Sequence, residues 1–187
     1  MKRLLLNPHP LLGRSLPLMA AMSCVRPVPV SVPTAAPAPL QQVVEAHAAG
    51  VQASWTAVHT EVVELDSAIA TLIAEPSPET LQAARQAWLD ARQVYSPTEV
   101  FRFQGGPIDG PEGVEGFINA WPIDEAYIDY VDDLPQAGII NDPAHPQLDA
   151  ELLLSLHEQG GEENIATGWH AIEFLLWGQD HAADANS

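Results

Sequence analysis

A chain of 187 residues has room for one domain and hardly two, and its 47% hydrophobic content, rich in Ala and Leu, supplies a core that favours helix over sheet. Seven basic residues stand against 25 acidic ones, and every acid lies from Glu45 onward, where only Arg85, Arg92 and Arg102 oppose them. Such a body repels phosphate backbones and anionic head groups, which argues against nucleic acid as a partner and favours cations, metal ions among them.

Residues 1–24 read as a signal peptide. Lys2 and Arg3 form a positive start, a broken apolar stretch runs from Leu4 to Met22, and small residues precede Cys24. Cys24 is the sole cysteine, so no intrachain disulfide can form. Its position resembles a bacterial lipobox, in which the cysteine is lipidated; an ordinary cleaved signal with an incidental cysteine is the other reading. A transmembrane anchor is not expected, because no run of about 18 apolar residues exists. Residues 25–39 carry Pro27, Pro29, Pro33, Pro37 and Pro39. They predict an extended spacer that cannot pack a core.

From Leu40 the apolar positions Leu40, Val44, Ala48, Val51, Trp55, Val58, Val62, Leu65, Ile69 and Leu72 recur at steps of four and three. They predict one long amphipathic helix that stops at Pro76, roughly 50 Å in length at 1.5 Å per residue. A helix of that length needs a partner, which points to a bundle. Ser77 reads as an N-cap with Pro78 at the first helical position. The helix it opens runs to about Tyr95, with Leu81, Ala84, Trp88, Ala91 and Tyr95 facing inward, antiparallel to the first. Ser96-Pro97-Thr98-Glu99 reads as a further capping box opening a short helix. Residues 104–123, with five glycines and three prolines, predict an irregular loop with short helical turns. A helix is expected over Glu125 to Val131, a loop over 135–148, a helix from Asp149 to Gln159 capped by Gly160, and a last helix from about Asn164 to Trp177 ended by Gly178.

That last segment carries the chemistry. His170 and Glu173 stand three apart and share one helical face, inside a run holding Trp169, Ile172, Phe174, Leu175, Leu176 and Trp177. A buried ionised Glu is costly unless it is paired or ligates a metal, and an imidazole and a carboxylate on one face can bind a transition metal. Spacing alone is a weak signal, and it leaves a plain His–Glu hydrogen bond or a solvated edge open.

Gly168-Trp169-His170-Ala171-Ile172-Glu173 resembles the G-x-H-x-x-E signature of the imelysin family. Further stretches fit in the same order: Arg85-Gln86-Ala87-Trp88, Thr98 to Phe103, Gly106 to Asp109, Asn119 to Glu125, Tyr127 to Val131 and Gly160 to Gly168. The resemblance spans residues 40–180 and implies an all-α helical bundle, one half of a two-bundle fold. It implies a periplasmic or outer-membrane location in a Gram-negative bacterium, with a lipid anchor at Cys24 as the only membrane attachment. Two activities attach to the family, metallopeptidase and iron acquisition. His170 and Glu173 match the signature's metal ligands, and Glu99, Arg102, Asp109 and Asp124 fall in matching stretches as candidate lining of the same site. The implied cofactor is a divalent or ferric metal ion, iron or zinc.

A zinc peptidase needs three protein ligands, an open water position and a general base, and Glu173 cannot readily be both ligand and base. Metal binding with an iron-related role is therefore the leading expectation, ahead of a metallopeptidase and of a truncated, inactive fragment. Residues 181–187 read as a polar tail, and a lone half is expected to expose apolar surface that leads to aggregation or, if the half is stable, to a homodimer.

Overall fold

The computed structural model describes residues 39–178. The signal-like segment, Cys24 and the polar tail lie outside them. Helix α1, Leu40–Ala74, and helix α2, Pro78–Tyr95, form an antiparallel hairpin: Trp55 near the middle of the longer α1 meets Tyr95 at the end of α2, ring centroids 6.0 Å apart. Pro76 denies α1 a further turn. Ser77 then caps α2, its hydroxyl accepting from the Thr80 N–H at 3.1 Å, while the Thr80 hydroxyl accepts from the Ser77 N–H at 3.0 Å. This is a capping box closed by Thr in the place of the usual Glu or Gln.

Helix α6, Trp169–Trp177, lies antiparallel on α2. The buried core joins Val58 and Leu65 of α1 to Ala84, Trp88, Ala91 and Tyr95 of α2 and to Trp169 and Leu176 of α6. Each large side chain buried there contributes roughly 1.5–3 kcal/mol. Ala84 and Ala91 of α2 are fully buried, and their small side chains let the neighbouring helices approach closely. Between α2 and α6 run α3 (Glu115–Asn119), α4 (Glu125–Ile128) and α5 (Ala150–Leu156). A smaller core of Ile139, Leu156 and Ala166, with Tyr127, Leu152 and Leu153 packed against it, anchors that region. The fold is all-α; among the described residues the only β pairing is an isolated bridge between Val131 and Leu134. No described helix is long and apolar enough to cross a membrane.

Five local expectations need correction. The stripe of α1 is not buried along its whole length, since Leu40 is 79% and Val44 58% exposed and core packing begins at Trp55. Ser96 does not cap a new helix. Its hydroxyl donates back to the Arg92 carbonyl, and Ser96–Phe101 continues α2 as a tighter 3-10 turn. The Glu125 helix ends at Ile128, where Asp129 turns extended and its carboxylate takes its neighbour's N–H. The last helix starts at Trp169 and not near Asn164, because Gly168 stands at φ +92°. The helix after Asp149, which caps it through the Leu152 N–H, stops at Leu156.

Candidate metal-binding site on α6

Helix α6 is held by α2 near both ends. The Trp88 indole N–H donates to the Trp169 carbonyl at 3.1 Å, and Arg85 Nε donates to the Leu176 carbonyl at 2.7 Å. Trp88 also meets the Trp169 and Trp177 rings edge-on, at 6.1 and 5.4 Å. Gly168 sets the entry to the helix. A Cβ there would overlap the main-chain oxygens of Phe117 and Ile118, so the backbone approaches α3 as only glycine can, in a left-handed conformation.

With the helix so fixed, His170 Nδ1 lies 3.1 Å from Glu173 Oε2. A carboxylate only accepts, so Nδ1 carries a proton, and in the neutral ring Nε2 keeps its lone pair. The Trp121 ring packs against the imidazole at 4.7 Å between centroids. Both side chains open onto a cleft of about 920 Å³. Asp124, Glu125, Asp132 and Asp133 line the same cleft, as do Phe174 and Trp177.

Of the other residues expected at the site, Asp124 is brought to this cleft, where it also caps α4 by accepting from the Ala126 N–H. Glu99, Arg102 and Asp109 are placed elsewhere. Glu99 accepts from the Asn119 amide at 3.2 Å and stands 3.9 Å from Arg92; Arg102 pairs with the buried Glu115 at 2.8 Å. These side chains crowd around Tyr95, whose hydroxyl is pushed up to about 12 by burial first and by the charge of Glu115 second. Arg92 Nη1, Arg102 Nε, Glu115 Oε1 and Asn119 Oδ1 are buried without a protein partner, which leaves this network capacity to bind small polar molecules. Asp109 organises its own loop, accepting from the Gln104 and Gly106 N–H groups at 3.0 and 2.9 Å. Desolvation works against its charge, but those backbone donors prevail and hold the carboxyl below its ordinary value.

Glu125, Asp132, Asp133 and Trp121 were not singled out from sequence as site residues. The runs Asp124-Glu125 and Asp132-Asp133 were the available signal, but an acidic pair in a loop reads equally as solvated surface. Among the described residues no three His, Cys, Asp or Glu side chains stand close enough to enclose a metal ion. The arrangement therefore offers a two-donor platform facing a carboxylate-lined cleft.

The imelysin family profile matches residues 51–187. A stretch of 124 residues is 34% identical to Iron-regulated protein A of Synechococcus elongatus, covering 66% of this chain. It spans 28% of that protein's length.

Proposed function

The chain belongs to the imelysin family, and from that premise we propose that it is an exported metal-binding protein with a role in iron acquisition, in which His170 and Glu173 are the protein's donors. The observation that carries this reading is the ordered His170–Glu173 pair on α6, facing the acidic cleft. The name of the cyanobacterial relative supports iron as the metal, and the signal-like residues 1–24 support export to the periplasm.

The donor chemistry fits the metal. Imidazole and carboxylate suit iron and zinc alike. Glu173 has two roles open to it: it ligates directly, or it holds Nδ1–H so that Nε2 is presented to the metal, as carboxylates commonly do behind ligating histidines. Asp124, Glu125, Asp132 and Asp133 concentrate cations at the cleft. Trp121, packed on the imidazole, restricts its rotation and shields one ring face from water. A bound ion would supply a Lewis-acid centre, its remaining positions filled from outside this pair. Peptide hydrolysis asks for a third protein ligand and a separate base, which this pair does not provide, so metal binding is the better-supported activity.

Metal retained after dialysis, measured by elemental analysis for iron and zinc, tests the reading. His170→Ala is expected to lose specific retention. Glu173→Gln is expected to weaken binding about 10- to 100-fold if its role is to orient the imidazole. Retention equal to the wild type in both variants would remove the site.

A further inference from the structure

We infer that His157, Thr167 and the main-chain oxygens of Gly116 and Phe117 form a proton-operated latch that fixes the entry to α6. Its regulatory role rests on the metal-binding reading above, because the helix it fixes carries His170 and Glu173. The latch itself stands on hydrogen-bond geometry alone.

His157 Nε2 lies 3.1 Å from the Gly116 carbonyl oxygen. A carbonyl only accepts, so Nε2 carries a proton in every state that keeps this contact. On the other side of the ring, Nδ1 lies 3.0 Å from the Thr167 hydroxyl. That hydroxyl is also 2.9 Å from the Phe117 carbonyl oxygen, to which it donates. A hydroxyl has one proton to give. If it goes to Phe117, the hydroxyl oxygen faces Nδ1 as an acceptor and Nδ1 must donate, which requires the imidazolium. If the ring is neutral with its proton on Nε2, Thr167 must turn its proton to Nδ1. The Phe117 oxygen then faces the hydroxyl's lone pairs at 2.9 Å with no proton between them. All three bonds are made together only when His157 is protonated.

The latch sits where it can matter. Thr167 immediately precedes Gly168, whose backbone lies against the same Phe117 and Ile118 oxygens. Two residues further on is His170. His157 ends α5 and packs its ring on Phe117 at 4.9 Å, so the latch ties α3, α5 and the entry to α6 together. Of the acidic groups on the segments that meet there, Glu115 is paired with Arg102, and Glu151, Glu158, Glu162 and Glu163 are exposed. The imidazolium is thus served by neutral oxygens, and its proton is taken up as the three bonds close. Protonation tightens the approach to α6, and deprotonation gives up the Thr167–Phe117 bond.

The test uses the full chain without metal. Nitrogen shifts of the His157 ring and hydrogen exchange over residues 165–172 are followed from about pH 5 to pH 8, the span over which histidine changes charge. Both ring nitrogens should be protonated at the acid end and Nε2 alone at the other. Amide protection, corrected for intrinsic rates, should be about threefold to tenfold greater in acid, the worth of one hydrogen bond. Thr167→Val should abolish that difference and Thr167→Ser should restore it. A neutral ring protonated on Nδ1, protection independent of pH in the wild type, or an unchanged difference in Thr167→Val would each overturn the latch. Should Thr167→Val fail to fold, the ring tautomer and wild-type protection decide alone. Chelator competition is run separately. Loss of metal binding with the exchange pattern intact sinks the metal reading and leaves the latch, whereas the reverse sinks the latch alone.

Discussion

At the level of single residues, Gly168 shows how a signature letter acquires a physical reason. Its φ of +92° and its contact with the Phe117 and Ile118 oxygens leave no room for a side chain. Gly168→Ala should destabilise the fold by about 1–3 kcal/mol, as overpacking and a forced left-handed residue do, and urea denaturation will measure it. The sequence marked this glycine as part of a motif but could not give the cause, because the obstructing oxygens lie fifty residues upstream. His170 and Glu173 were legible as a pair because helical spacing alone places them on one face. Glu99, Arg102 and Asp109 were not legible: each sits in a stretch resembling the family, and each turns to a local partner that spacing does not reveal. Tyr95 gives a pH signature. Its hydroxyl is raised from 10.0 to about 12, so the folded chain favours the neutral form. The stability it contributes is complete below pH 10 and is lost as pH rises from 10 toward 12. The urea midpoint should fall over that interval, and Tyr95→Phe should flatten much of the fall.

Among the elements, α1 and α2 were readable because their periodicity is long and their punctuation strong. Pro76, Ser77 and Pro78 fix a stop and a start within three residues, and the structure follows them. Ser77→Ala removes the hydroxyl that accepts from the Thr80 N–H and should cost about 1 kcal/mol; a thermal melt followed by circular dichroism will register it. Ser96 shows the limit of the same signal. Ser-Pro-Thr-Glu has the composition of a capping box, yet Tyr95 is already packed in the core with helical backbone, and the chain continues into a 3-10 turn without a break for a cap to mark. Tertiary packing outweighs a local motif worth about a kcal/mol. The start of α6 departs from the local pattern for a related reason. Asn164, Ile165 and Ala166 are acceptable in a helix, but Ile165 and Ala166 are buried in an irregular connection, and the helix waits for Gly168 to redirect the chain.

Across the whole molecule, the all-α class and the α1–α2 hairpin followed from pattern, while the acidic cleft did not, because it is assembled from α4, α6 and the segments on either side of α4. The scarcity of basic residues has a consequence at this scale. Beyond the first 26 residues the chain has three, and each is engaged internally: Arg85 on the Leu176 carbonyl, Arg92 beside Glu99 and over the Tyr95 ring, Arg102 on Glu115. Trypsin cuts after Lys and Arg, so every cleavage in the body requires an arginine to be withdrawn from its partner, and two of the three lie in α2. The folded body should therefore resist trypsin while a glutamate-directed protease cuts it readily, and its rate of tryptic loss should track the opening of the α2–α6 core.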